Sequence, residues 1–417
     1  MLDINYIRTN PDKVKQACEH KQLDSSVVDS LLKADEQRRI LKKQTDEVRR
    51  RINANADKIK IQVHAGDQPD SDLIKCGKQL KIELKQVEPK FKQAVAVYDN
   101  LMLSIPNIPA DDVPVGEDET GNQVVRQVGE LPKFEFDPLP HQKIMEKLDW
   151  VDTVRAVRIG GFRSYFLKKQ GMLLEQALLR YALDFMAKQD FTLMTVPALV
   201  NESAMVGTGF FPWGKEDHYQ TQDGQFLVGT AEVALTSYHM GETLTEENLP
   251  IKLAGISPCF RREVGSHGKD TQGIIRVHQF TKVEQMVLTV ADEATTKKWH
   301  ETMVGFVEEM LVELDLPYQV LLMCTGDMGA GQRKKYDVEV WFPSQNKYRE
   351  THSASYFNDF QTRRLGIKYQ AKDGTTKYAY SLNNTVAASP RLLAAIVENY
   401  QQADGSVKIP KVLQKFM

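Results

Sequence analysis

Between residues 257 and 287 the chain reads SPCFRREVGSHGKDTQGIIRVHQFTKVEQMV, two alternating segments around a glycine-rich connection from Gly265 to Gly273. That pattern predicts a β-hairpin with a long, mobile loop. Successive side chains of a strand face opposite sides. Arg261 and Glu263 therefore share one face of the first strand, and Arg276, Phe280 and Glu284 share one face of the second. Such a face suits an adenine nucleotide. Arginines take phosphates, a ring stacks on the base, and a carboxylate accepts from the exocyclic amine. A cross-strand ladder of ion pairs has the same composition, and the pattern fits both.

A further cation stands in SPRLLAAIVENY, residues 389–400. Ser389 is a good N-cap and Pro390 suits the first helical position, so Arg391 falls at about the second. The start of a helix carries partial positive charge, where a carboxylate is the expected neighbour. A cation belongs there if an anion sits between it and the helix; the alternative is an arginine pointing to solvent. Glu398 stands at the unfavourable end of the same helix. In KYDVEVWF (335–342), Tyr336, Val338, Val340 and Phe342 face one way, with Asp337, Glu339 and Trp341 opposite. YRETHSAS follows, and its Glu350 and Ser353 offer the hard oxygens that Mg²⁺ takes alongside water and phosphate.

Two apparent motifs carry no chemistry. GFFPWGKE (209–216) ends in Glu216 where a phosphate-cradling loop needs Ser or Thr. GTG at 207–209 is too short for a dinucleotide fingerprint, and neither H-E-x-x-H nor a serine-nucleophile elbow occurs.

The elements that position these residues fall into two regions. A seam of Leu41, Thr45, Val48, Ile52, Asn55 and Ile59 alternates spacings of four and three. Leu73, Gly77, Leu80, Leu84, Val87, Phe91, Ala94, Tyr98 and Leu101 form a second. These are heptad patterns, and HAGDQPDSD (64–72) between them is turn chemistry. They predict an antiparallel helical hairpin of about 30 residues per side, projecting roughly 45 Å, with a kink at Pro89. Residues 31–101 hold 16 Lys/Arg and 11 Asp/Glu, although the whole chain has a net charge of −2. Arg38, Arg39, Lys42, Lys43, Arg49, Arg50 and Arg51 lie on the outer faces of the first helix, with Lys58 and Lys60 beyond. A basic face suggests a phosphate backbone as partner; a solvated surface is the plain alternative. SIPNIPADDVPVGEDETGNQ (104–123) reads as a linker. Beyond it, a helix at 172–189, a strand at 191–200 carrying Pro197, and serial strands from 218 to 380 predict an antiparallel sheet flanked by helices. The expected class is α+β, divided as 1–104 and 105–417.

Composition is that of a globular protein, 41% apolar and 26% charged. No apolar run approaches a membrane span, and MLDINYIRTNPDKVKQ lacks the apolar core of a signal peptide. Four cysteines lie far apart, without a C-x-x-C pair, which predicts neither a zinc site nor disulfides and points to a reducing cytoplasm.

These residues resemble a known family. FRRE before the glycine loop and RVHQF..VE after it look like motif 2 of the class II aminoacyl-tRNA synthetases. SPRLLAAIVENY looks like their motif 3, and the helix followed by the strand with Pro197 looks like motif 1, their dimer-forming element. The specific resemblance is to the seryl-tRNA synthetases of bacterial type. It spans nearly the whole chain through MLDINYIR.NP, the hairpin, SIPNIP, VGTAEV, TGDMG....KKYDVEVW, NKYRE and ENYQQ.DGSV.IP.

The resemblance implies a homodimeric serine–tRNA ligase that uses ATP and Mg²⁺ to load L-serine onto tRNA(Ser), and onto tRNA(Sec) where present. By position, Arg261 would clamp the α-phosphate and Arg391 the γ-phosphate. Glu263 would meet the adenine amine and Phe280 would stack on the base. Arg262, Arg276, Glu350, Thr351, His352 and Ser353 would complete the nucleotide site, Glu350 and Ser353 at the metal. Thr230, Ala231, Glu232, Glu284 and Thr385 would surround serine, and the basic hairpin would hold tRNA. Departures from the family pattern are Thr351, His352, Ser353 and Ala354 in place of Ser-Ser-Cys-Ser, and NNTVAASPR, with Asn384 and Pro390, in place of a glycine-rich motif 3. Two rivals fit less well. A ligase loading a carrier protein would not need a long basic arm, and a non-catalytic RNA-binding homologue would not need Arg261, Glu263 and Arg391 together.

Overall fold

A computed structural model describes residues 1–264 and 273–417; the predicted loop from Gly265 to Gly273 lies almost wholly outside the described residues. The chain forms two compact units. One comprises Leu2–Glu19 and Leu23–Pro106, the other Met1, His20–Gln22 and Asn107–Met417.

The first unit is dominated by the helices Ser26–His64 and Ser71–Leu103. At about 1.5 Å per residue they run roughly 58 and 50 Å, longer than the seams alone predict. Val28, Leu31 and Asp35 extend the buried face toward the N-terminus. The second helix remains one element through Pro89. Seam positions Leu41, Thr45, Val48 and Leu80 are buried. Asn55 is also buried and donates to the Leu73 carbonyl at 3.0 Å. A Cβ at Gly77 would lie 3.1 Å from the Asn55 amide nitrogen, so that crossing needs a small residue.

The second unit is built on an eight-stranded sheet. Its order is Gln123–Val128, Tyr318–Leu322, Lys334–Phe342, Lys347–Asn358, Tyr380–Ala388, Gln279–Thr289, Ile251–Phe260 and Thr192–Thr195. All neighbours are antiparallel except the last pair. One core joins the sheet to the helices Lys169–Lys188, Glu293–Glu313 and Ser389–Asn399. The 21-residue helix Glu293–Glu313 interrupts the series of strands expected from 218 to 380. The strand expected at 191–200 is two short strands, Thr192–Thr195 and Leu199–Val200, in different sheets. Pro197 lies between them and has no N–H for a ladder. The last helix starts one residue early. Ser389 is its first residue and Ala388 its cap, without a side-chain hydrogen bond. Arg391 is thus the third helical residue, still in the first turn.

Candidate active site

The sheet's central strands carry the site, but regular alternation does not deliver it. Strand Ile251–Phe260 ends before Arg261, and Gln279–Thr289 begins after Arg276. Arg261, Glu263 and Arg276 therefore lie outside the ladder, contrary to the parity argument. Arg261 and His278 instead clasp each other, the Arg261 N–H on the His278 carbonyl at 2.9 Å and His278 Nδ1 on the Arg261 carbonyl at 2.8 Å. Glu263 adopts a left-handed backbone, φ +56°, which an L-residue takes only when its surroundings hold it. That turn directs its carboxylate to Arg276 at 2.7 Å.

Bulges bring in the rest. Glu350 and Ser353 differ by three positions and would occupy opposite faces of a regular strand. The register against strand Lys334–Phe342 pairs Val338 with His352 and Glu339 with Glu350, leaving Thr351 as the extra residue. This bulge turns Glu350, Thr351 and Ser353 toward one cavity. A second bulge pairs Thr385 with Glu284 but Ala387 with Val283, which sets Asn383, Thr385 and Ala388 on the same cavity.

That cavity, about 220 Å³, is lined by Thr230, Glu232, Arg261, Glu263, Phe280, Glu284, Glu350, Thr351, Ser353, Thr385 and Arg391, all expected from the sequence. It adjoins a larger cavity of about 800 Å³ lined by Arg276, Lys335, Asp337, Glu350 and Arg391. The Arg261 guanidinium lies 5.3 Å from the Phe280 ring centroid, and its Nε donates to the Gly229 carbonyl. Arg391 Nη1 donates to the Glu350 carboxylate at 2.9 Å and to its carbonyl at 3.1 Å.

The charges are set by their neighbours. Burial alone would raise Glu350, but the cations Arg391 and Lys335 hold it at about 2. Burial, reinforced by nearby Glu284, pushes Glu232 up to about 7. Burial likewise pushes Asp337 up to about 7, against the pull of Lys335 at 2.9 Å.

Arg276 reaches only the larger cavity, and three predicted residues reach neither. Arg262 is exposed and donates to the Glu216 carbonyl at 2.8 Å. His352 is buried behind the strand, held to Thr351 Oγ1 at 2.8 Å and lowered to about 3 by burial. Ala231 is buried in an apolar cluster with Val196, Leu235 and Leu253. Asn384 also faces away, donating to the Met303 carbonyl at 2.9 Å, whereas Pro390 of the same departure lines the cavity.

Sequence reading missed Lys282, Asn383, Gln332 and Ser355, which line the cavity as well. Lys282 is ion-paired to Glu284 and donates to Thr385 Oγ1 at 3.3 Å; Thr230 Oγ1 donates to Glu284, also at 3.3 Å. Two charges two residues apart in the apolar stretch TKVEQMVLT were its available signal.

In the hairpin, most of the predicted phosphate contacts already have acidic neighbours. Arg38 binds buried Asp35 at 2.7 Å and stacks on Tyr98. Lys42, Arg49, Arg50 and Arg51 pair with Asp46, Glu88, Glu47 and Glu83. Among the described residues, Arg39 and Lys43 form no ion pair, and they share a surface cleft with Lys42 and Arg50. The hairpin keeps its excess of basic residues, but most of those on this face are paired with acids.

The Mg²⁺ implied by the resemblance fits the donor set. Glu350 is held ionised, Ser353 supplies a hydroxyl, and Asp337 has a buried Oδ1 without a hydrogen-bond partner. Among the described residues no cluster of three or more His, Cys, Asp or Glu could cage a metal.

Residues 217–400 match the family described as tRNA synthetase class II core domain (G, H, P, S and T), and residues 1–109 match the seryl-tRNA synthetase N-terminal domain. The serine–tRNA ligase of Deinococcus radiodurans is 44% identical over 418 residues, covering 100% of this chain and 97% of that protein. The seryl-tRNA synthetase of Pyrococcus horikoshii, solved with ATP, superposes with a TM-score of 0.90 at 36% identity, over 100% of this chain and 98% of the other. The cytoplasmic serine–tRNA ligase of Naegleria fowleri, solved with AMP, gives 0.86 at 33%, over 100% and 97%.

Proposed function

The chain belongs to the seryl-tRNA synthetases and is a serine–tRNA ligase, and on that premise we propose which of its residues carry each step. The serine carboxylate attacks the α-phosphorus of ATP in line. A C–O–P linkage forms, the bond to the β-phosphate breaks, and pyrophosphate leaves. The terminal ribose hydroxyl of tRNA then attacks the activated carbonyl and expels AMP.

Arg261 takes the α-phosphate and Arg391 the γ-phosphate, Phe280 faces the base, and Glu263 receives the adenine amine. Little covalent chemistry is asked of these side chains. Their work is positioning and stabilisation of charge in a preformed site. Glu350 and Ser353 would hold Mg²⁺, which would supply neutralisation of phosphate charge. Thr230, Glu232, Glu284 and Thr385 take the serine amine and hydroxyl, with Lys282 fixing Glu284 and Thr385. The observation that carries this assignment is the convergence of Arg261, Glu263, Phe280 and Arg391 with these polar residues on one cavity.

The hairpin unit serves as the tRNA-binding domain and the sheet unit as the aminoacylation domain. tRNA(Ser) is the substrate, with tRNA(Sec) where a cell makes it. A homodimer accords with the exposed apolar residues Val154, Val157, Ile159 and Phe162, which a second copy could cover. Among the described residues no helix is long and apolar enough to cross a membrane. Four free cysteines suit a cytoplasmic enzyme.

The test is amino-acid-dependent ATP–pyrophosphate exchange, followed by tRNA charging, with serine, threonine and alanine. A site built to hydrogen-bond a hydroxyl rejects the analogue lacking it by up to about 10⁴-fold. Alanine is expected to exchange far more slowly than serine; comparable rates would overturn the serine assignment.

A further inference from the structure

Glu398 stands near the C-terminal end of helix Ser389–Asn399, where the helix dipole disfavours a carboxylate, and it is fully buried. Its oxygens accept from the His141 backbone N–H at 2.9 Å, His141 Nδ1 at 2.8 Å and the Ser344 N–H at 3.2 Å. On the other side of the imidazole, the Ile274 N–H points at Nε2 from 3.3 Å. A backbone amide only donates, so Nε2 carries no proton. The proton is on Nδ1, donated to Glu398. The Phe342 ring stands edge-on at 6.4 Å. Gly273, at φ +77°, is required at this point. A Cβ there would lie 2.2 Å from Nε2.

The segment so held enters the nucleotide site directly. The Ile275 carbonyl accepts from Arg391 Nε at 3.4 Å, and Arg276 pairs with Glu263. Neither His141 nor Glu398 lines the cavities described above. We propose that His141 is a positioning residue for ATP. Its Nε2 fastens Gly273–Arg276 against the helix that carries Arg391, and Glu398 fixes the tautomer that makes this possible. The inference rests on the reading of the cavity as the ATP site.

The two nitrogens can be separated by substitution. His141→Asn keeps a donor near Nδ1 and loses the acceptor at Nε2; His141→Gln does the reverse. Both are measured by serine-dependent ATP–pyrophosphate exchange, with thermal unfolding alongside. Loss of one hydrogen bond predicts an ATP KM raised about 5- to 10-fold in His141→Asn. Its serine KM should stay within about twofold, and His141→Gln should stay within about threefold for ATP. ATP and serine KM rising together, or a wild-type ATP KM in His141→Asn with an impaired His141→Gln, would reduce the pair to a structural one. Gly273→Ala is the second probe. It crowds Nε2 and leaves the His141–Glu398 pair chemically intact, so it should raise the ATP KM alike. A wild-type ATP KM in that variant overturns the proposal. Wild-type protein without serine-dependent exchange would break the functional reading itself, whereas an active wild type with indifferent variants breaks only this inference.

Discussion

Charge is used in opposite ways in the cavity of the sheet unit and along the outer face of the hairpin. In the sheet, ionic groups are sunk among partners. Lys282 and Glu284 are paired with side chains only 7% and 2% exposed. In the hairpin, Lys42–Asp46 and Arg50–Glu47 are exposed pairs one helical turn apart. Exposed pairs contribute roughly 0–1 kcal/mol and are readily exchanged for another anion. Buried ones cannot be broken without stranding a charge. The first arrangement suits fixed small substrates and the second suits a long polyanion that must be gripped and released.

The sharpest way to break this contrast is to remove one side of it. Replacing residues 31–102 by a short flexible turn should lower tRNA charging by about 10³-fold or more, because phosphate contacts supply binding and register. Exchange should stay within about threefold, with circular dichroism confirming the fold. Equal loss of both activities in a folded variant would give the hairpin a part in the active site; full charging would leave its charges merely solvated.

A smaller effect is expected inside the sheet. Arg261→Ala should slow exchange by roughly 10²–10³-fold, as loss of one preorganised charge stabiliser does. A rate within about threefold of wild type would remove Arg261 from the phosphates.

The smallest effect concerns stability and carries two opposite signs. Glu350 has a folded value of about 2, below its ordinary 4.5. Its ionised form stabilises the fold above about pH 4.5, and that contribution disappears as pH falls toward 2. Glu232 is raised to about 7, so between 4.5 and 7 the fold holds a proton the unfolded chain has lost. Its stability contribution therefore falls as pH rises through that window. Thermal unfolding across pH should show Glu350→Gln losing, and Glu232→Gln gaining, on the order of a few degrees at neutral pH. Both differences should shrink toward acid. Shifts of the same sign would overturn the assigned environments.

The hairpin was legible because its rule is periodic. Leu41, Val48 and Leu80 fall where heptads put them. Its pairing was not, since Arg38 meets Asp35 only after the helix extends back to Ser26. In the catalytic unit, residue identities pointed to the site while the geometry stayed hidden. Parity grouped Arg261, Glu263 and Arg276 on strands that in fact stop short of them. Glu350 and Ser353 share a cavity only because Thr351 bulges, and a bulge leaves no compositional mark. His352 and Ala231 sit beside site residues in sequence and face the other way, as neighbours on a strand or turn do. Pro197 divides a stretch whose surrounding apolar residues otherwise read as one strand.

Asn55 makes the hairpin a ruler. A purely apolar seam can slide by one heptad at small cost, because each Leu finds another hole. The buried amide cannot, since away from Gly77 it meets a side chain and loses the Leu73 carbonyl. The two helices are thus pinned in one register near the turn, and the distance from that pin to the base of the hairpin is set by residue count alone. Adding seven residues to each helix below the pin should lengthen the arm by about 10 Å without disturbing its tip.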